Sequence, residues 1–300
     1  MIYYYNSNSI TNHGTSMIET LKENNMPFDM IPTDIDFAVE FEETKFNGKK
    51  YVINADTGEY LGVVGKDFNC ASHGDFFRNV VETATKELGF NELEGSTLNF
   101  SSARNGAWAM LDITLPNVTE TIVTDKHETS IGNRIIGLHG IDGSCSNQVF
   151  FGAIDFFCTN GMITGDHDKI RRKNTSNFSL EAFVSELRRS RSDFYDRAAK
   201  LQTWAQTSLK GLDIKALLDD IIGSERKSKQ MFELYNHEAS VRGHNKWSLY
   251  SAFTNYASYA DDRNGFNLRK TSNDTNAISM WGREQEVNKW VSNERFLMAA

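Results

Sequence analysis

The chain has 300 residues, 39% of them hydrophobic and 24% charged, with a formal net charge of −8. This is the composition of a globular protein able to bury a real core, and its acidic balance argues against indiscriminate coating of DNA. No apolar run reaches the roughly 20 residues of a membrane helix, and the N-terminus lacks the basic start of a signal peptide, so a cytoplasmic protein is expected.

Residues 1–33 are polar, rich in Asn and Ser, and read as an arm with one short helix near Ser16–Lys22. From Ile35 the period is two: Ile35, Phe37, Val39 and Phe41 alternate with Asp36, Ala38, Glu40 and Glu42, a strand with one wet face. Tyr51–Asn54 and Tyr60–Val64 flank Ala55-Asp56-Thr57-Gly58 and predict a hairpin. Ser72 followed by Asp75 starts a helix whose apolar face is Phe76, Phe77, Val80, Val81, Ala84 and Leu88, and Gly89 supplies the stop. Thr97–Ser102 and Ala107–Leu115 are joined through Arg104-Asn105-Gly106, an Asn-Gly hairpin signature, and Thr119–Thr124 extends the sheet. Ile135–Leu138 and Val149–Phe157 form a further hairpin around a turn-rich centre at Gly140–Ser144.

After Asn177 the pattern turns helical. Leu180, Phe183, Val184, Leu187, Phe194, Ala198, Leu201 and Ala205 fall on one stripe at about 100° per residue, with Arg189, Arg197 and Lys200 opposite and Arg191 near the stripe. Further helices are predicted at Ile214–Ile222, Ser228–His237, Trp247–Tyr259 and Ser279–Phe296. The expected class is α+β: a polar arm over 1–33, a mostly antiparallel sheet with packed helix over 34–176, and a helical region over 177–300 packed on it.

Charge is unevenly laid out. Residues 1–164 hold 10 Lys/Arg against 22 Asp/Glu, a net −12, whereas 169–215 hold 11 against 5, a net +6. The positive excess begins at Lys169, Arg171, Arg172 and Lys173, directly after the hydrophobic hairpin, and continues through Arg188, Arg189, Arg197 and Lys200. A cationic groove with base-stacking aromatics is how proteins hold single-stranded nucleic acid, and Phe194, Tyr195, Trp204 and Trp247 lie near this segment in sequence. No helix-turn-helix or RNA-recognition signature accompanies it.

Other chemistries find less support. Asp166-His167-Asp168 is the one tight His/carboxylate group, but three consecutive side chains diverge and rarely meet on one ion, so no metal is expected. Cys70, Cys145 and Cys158 match no zinc or CxxC spacing and read as reduced thiols. Gly62-Val63-Val64-Gly65-Lys66-Asp67 has the wrong spacing for a nucleotide-binding loop, with Asp67 where a hydroxyl would hold magnesium, although Lys66 remains able to meet a phosphate. A metal-dependent nuclease would need Asp155, Asp166 and Asp168 to converge.

Three pieces carry a family resemblance. They are Tyr60-Leu61-Gly62-Val63-Val64-Gly65-Lys66, then Phe151-Gly152-Ala153-Ile154-Asp155-Phe156-Phe157-Cys158-Thr159-Asn160-Gly161-Met162, then His244-Asn245-Lys246-Trp247-Ser248-Leu249-Tyr250-Ser251-Ala252-Phe253-Thr254-Asn255-Tyr256. In this order they resemble a family of uncharacterised phage and plasmid proteins carried as a domain of unknown function, with the Cys-Thr-Asn-Gly-Met piece the most specific. The residue before the cysteine, often aromatic or basic in that family, is Phe157 here. The resemblance supplies no catalytic residues. Its phage setting and a basic strand-to-helix passage make it similar, at the level of layout, to phage single-strand annealing proteins of the RecT and Red-beta groups.

Together these readings lead to a function without catalysis or cofactor: ATP-independent single-stranded DNA binding and annealing by a homo-oligomer. The contacts would be Lys169, Arg171, Arg172, Lys173, Arg188, Arg189, Arg197 and Lys200. The rival is an acidic interaction protein in which the −12 half, with Glu40, Glu42 and Glu43, meets a host or phage protein.

Overall fold

The computed structural model describes residues 15–16, 30–45, 48–155, 160–163, 169–172, 180–260 and 276–299. Among the described residues, two antiparallel sheets and eight helices build an α+β fold with a helical C-terminal half.

The smaller sheet consists of β2 (Val39–Glu43), β3 (Lys49–Asn54) and β4 (Tyr60–Gly65), in that order. The alternating run begins earlier than the strand does. Ile35 and Asp36 both donate their amides to the Pro32 carbonyl, at 3.0 and 2.9 Å, so this stretch closes a turn and only the residues beyond it are free to pair. Ile35 is buried all the same, because the turn folds it into the core. Inward-facing Val52 and Val64 bury the sheet's inner face, while Tyr51, Tyr60 and Val63 stay open to solvent on the other.

Helix α1 (His73–Glu87) begins where Ser72 accepts from the Asp75 amide. Its stripe of Phe76, Phe77, Val80, Val81 and Ala84 is buried as the periodicity predicts, each phenylalanine contributing on the order of 2 kcal/mol of transfer free energy. Leu88 turns extended and ends the helix, and the short α2 (Phe90–Leu93) follows. Gly74 has a steric reason: a Cβ there would lie 1.6 Å from the Asp36 carboxylate, which Arg78 holds in place.

The larger sheet runs β1 (Thr15–Ser16), β5 (Thr97–Ala103), β6 (Trp108–Val123), β7 (Glu128–Gly140), β8 (Asn147–Asp155) and β10 (Lys169–Arg172), with β9 (Asn160–Ile163) also on β8. Ser16 therefore pairs with Thr97 instead of starting a helix, and the rest of the predicted arm helix lies outside the described residues. Thr119–Thr124 is no separate strand. β6 continues through Pro116, which has no amide for the ladder, and the register shifts between Leu115 and Thr119 to absorb the gap. Alternation divides β7: Ile131, Ile135 and His139 on one face, Arg134, Ile136 and Leu138 on the other. The first set joins the main core; Ile136 and Leu138 form a smaller cluster with Ala103, Met110, Cys145 and Phe150, bordered by Trp108.

The helical half comprises α3 (Leu180–Gln206), α4 (Ile214–Ile222), α5 (Glu225–Arg242), α6 (Lys246–Tyr259), α7 (Asn276–Val291) and α8 (Glu294–Met298). Leu187, Phe194, Ala198, Leu201 and Ala205 of α3 bury the predicted stripe. The side chains of Phe183 and Arg191 lie outside the described residues. All fourteen residues of α6 are buried, which makes it the central rod of this half. Its helices share one hydrophobic cluster with the sheet strands.

Two buried ionic ties fasten the halves together. In the first, Arg134 of β7 grips Asp112 of β6 (Nε to Oδ1 2.9 Å, Nη2 to Oδ2 2.7 Å) and gives Nη1 to Glu284 of α7 at 2.7 Å. In the second, Arg242 of α5 bonds Asp155 of β8 at 3.0 Å and Glu238 one turn back, while Thr129 donates to Asp155 and Ser251 and Asn255 of α6 donate to Glu238. Asp155, a nuclease candidate by sequence, is thus consumed in holding the fold; Asp166 and Asp168 lie outside the described residues.

Candidate nucleic-acid interface

Strand β10 brings Lys169, Arg171 and Arg172 to the end of the strand order, in register opposite Phe150, Gln148 and Asn147 of β8. Lys173 lies outside the described residues. Helix α3 packs against this strand. At 3.6 residues per turn, positions seven or eleven apart on a helix nearly superpose. Arg188 therefore shares a face with Tyr195, and Arg189 with Lys200.

The arginines on that face are held, though lightly. Arg188, its side chain 70% exposed, gives Nε to Glu87 of α1 at 2.8 Å. Arg189 lies 3.5 Å from Asp193, one turn along. Exposed pairs of this sort contribute about 0–1 kcal/mol, so an incoming phosphate can displace them. Lys200 is exposed, its ammonium 5.2 Å from the Trp204 ring centroid. Arg197 departs from the sequence reading: it is half-buried, close enough to the Tyr250 phenol to act on it, and is not on the open face. Of the four aromatics near the basic segment, Phe194 and Trp247 are buried, and half-buried Trp204 is wedged between Tyr250 and Phe296. Tyr195, 48% exposed, is the one standing open.

A second cationic feature sits at the β5–β6 turn. The sequence joins these strands through Arg104-Asn105-Gly106, an Asn-Gly hairpin signature. In the structure Ala103 pairs with Trp108 around a four-residue loop in which two turns overlap: the Gly106 amide bonds the Ala103 carbonyl at 3.1 Å and the Ala107 amide the Arg104 carbonyl at 3.0 Å, and Arg104 (φ 54°), Asn105 (φ 55°) and Gly106 (φ 85°) are all left-handed. That conformation costs an arginine roughly 1–2 kcal/mol. The loop has an anchor below: Gly106 packs against Phe37, and its carbonyl accepts from His73 Nε2 at 2.6 Å.

The strained turn sets the Arg104 guanidinium 4.3 Å above the Trp108 ring. Arg104 Nη1 and Trp108 Nε1 both donate to Ser144 Oγ, at 3.0 and 2.9 Å. Ser144 in turn donates to the Asp142 carboxylate, whose oxygens lie 2.6 and 2.7 Å away. Gly62 of β4 backs onto this loop so closely that a Cβ would sit 3.0 Å from that of Asp142. Periodicity is blind to such a site, because its four polar and aromatic members come from two turns about 40 residues apart.

Beneath it lies a buried histidine pair, His73 Nδ1 and His139 Nδ1 being 2.8 Å apart. The bonds fix the tautomers. A carbonyl only accepts, so His73 carries its proton on Nε2; its bare Nδ1 then accepts from His139 Nδ1–H. His139 Nε2 is left buried without a partner among the described residues. Burial pushes His73 down to about 4, against smaller opposing effects of the Gly106 bond and Asp142, and pushes His139 well below its usual value, with His73 adding to the effect. Nearby Cys70 is raised to about 12 by burial and then by Asp142, which leaves a thiol and no nucleophile at neutral pH.

The family-like His244–Tyr256 piece is structural. Asn245 caps α6 by accepting from Ser248, Trp247 is buried, and Lys246 ties its ammonium to the Leu297 and Ala299 carbonyls at 2.8 and 3.1 Å. Among the described residues no helix is long and apolar enough to cross a membrane.

A family model, Domain of unknown function (DUF932), matches residues 60–298, from β4 to the end of α8. No curated protein and no solved structure matches the chain.

Proposed function

The chain belongs to the family described as a domain of unknown function, DUF932, and from that premise we propose that it binds single-stranded DNA. In this reading it is a phage-encoded, ATP-independent protein of the host cytoplasm that assists annealing in recombination or replication as a homo-oligomer. The observation that supports this is one placement: basic strand β10, at the end of the sheet, packs against α3, whose outer face carries Arg188, Arg189, Lys200 and the open ring of Tyr195. Phosphates would meet the cations and a base would meet the tyrosine, with no sequence preference demanded. Oligomers add many weak sites, so a modest patch per subunit suffices.

The test is a mobility-shift titration with single- and double-stranded oligonucleotides, comparing wild type with Arg171→Glu/Arg172→Glu. Binding is expected to prefer single strands, to weaken steeply with salt, and to fall at least tenfold in the double variant. No shift of any oligonucleotide at low salt sinks the reading.

A second reading has its own observation. Glu40 and Glu42, exposed, lie in register beside Ile53 and Tyr51, with Tyr60 and Val63 on the next strand. This acidic and apolar face suits a basic protein partner. Loss of a captured host protein when Glu40, Glu42 and Glu43 are neutralised, with DNA binding intact, would favour it.

A further inference from the structure

We propose that the Arg104–Trp108 stack is a platform for one unpaired nucleobase, a contact that rests on the single-strand reading and extends it to a part of the surface formed by other strands. Three observations carry it. First, the four-residue loop holds Arg104, a residue with a Cβ, in a left-handed conformation. Strain kept in this way marks positions whose side chain has to be where it is. Second, the guanidinium is held in place. Its central carbon lies 4.3 Å from the Trp108 ring centroid, its Nη1 donates to Ser144, and Asp142 both holds Ser144 and pairs with Nη1 at 3.7 Å. Third, the side chain remains 44% exposed, and its Nε and Nη2 make no bond among the described residues.

A planar cation with one face on an indole and donors left over offers its other face to a base and its free N–H groups to a base edge or a phosphate. Such a platform selects single strands, because a paired base is already stacked on both faces. Register connects it with the basic strand: Met110, Leu138, Gln148 and Arg171 form one row across β6, β7, β8 and β10, and Trp108 begins the next row on β6. Three strand spacings of about 4.8 Å separate the platform's strand from β10, a span that two or three nucleotides of extended single strand can bridge.

The experiment uses a single-stranded oligonucleotide carrying 2-aminopurine, whose fluorescence changes on stacking, titrated into the full chain at low salt. Arg104→Gly suits the left-handed turn and removes the guanidinium, so the fold is retained; Arg104→Lys keeps the charge without the plane. The expected result is a fluorescence change with wild type, lost in Arg104→Gly together with a roughly five- to hundredfold drop in affinity, and not restored by Arg104→Lys. Unchanged affinity and signal in Arg104→Gly would overturn the platform and leave DNA binding through β10 and α3 standing. Full restoration by Arg104→Lys would overturn stacking in favour of a simple phosphate contact. Failure of the wild type to bind any single strand would remove both proposals.

Discussion

Arg134 and Arg188 hold carboxylates at nearly the same distance, 2.7 and 2.8 Å, and do opposite work. Arg134 is 2% exposed and bridges two acids from separate halves of the fold; Arg188 is 70% exposed and holds one acid at the surface. In the interior each charge has been stripped of water, so its partners cannot be removed singly. At the surface water and salt already compete, so the pair is weak and its arginine is available. Geometry alone does not separate a structural arginine from an available one; burial does.

The comparison is broken most forcefully at its buried end. Arg134→Met takes from buried Asp112 and Glu284 the guanidinium that both bond and is expected to cost about 3–5 kcal/mol in urea unfolding. Replacing all three by apolar residues of similar volume should recover most of that loss, because the desolvation penalty disappears along with the pair. A triple variant no more stable than Arg134→Met would mean that the tie contributes net stability and not merely specificity.

Acidification gives the next effect. Above about pH 6.5 His73 and His139 are neutral in both folded and unfolded chains, and folding neither gains nor loses protons there. As pH falls below that value the unfolded chain binds protons that the buried pair refuses, and stability is lost until His73 titrates in the fold near 4. For His73 alone the loss amounts to about 3 kcal/mol. Glu284 works in the opposite sense: burial raises its carboxyl despite Arg134, so its contribution falls as pH rises. Thermal midpoints recorded from pH 7 to 4 should drop, with a shallower slope in His139→Leu, where one of the two refusing groups is gone. A flat profile would mean that the pair takes up protons in place.

Much of this architecture is legible in the sequence because it is periodic. The stripes of α1 and α3 and the 55–58 turn follow from spacing alone, and so does the α+β class. What escapes is set by contacts between distant segments. Ile35 alternates like a strand residue but is captured by the Pro32 turn. Arg197 sits on the flank of α3, where spacing cannot say which neighbour covers it, and it ends half-buried near Tyr250 of α6. The Arg104 turn reads as an Asn-Gly hairpin, and spacing does not show that Arg104 is itself left-handed or that His73 and Phe37, more than 30 residues upstream, pin Gly106. The basic segment is legible as charge, but its pairing with Glu87 and Asp193 is not.

The smallest effect is the sharpest probe of the surface end. Glu87→Gln removes the acid that holds Arg188 and leaves the helix around it intact, so stability should change by less than about 1 kcal/mol. Single-strand affinity should move the other way, rising by a factor of about two to five, because one repulsive charge is gone and one cation is released to a phosphate. The slope of log affinity against log salt should steepen by up to roughly 0.7, the value for one added phosphate contact on a single strand. An affinity that falls in Glu87→Gln would mean that Arg188 acts only where Glu87 places it. The light surface pairs of α3 would then be positioning devices, as fixed in their role as the buried ones.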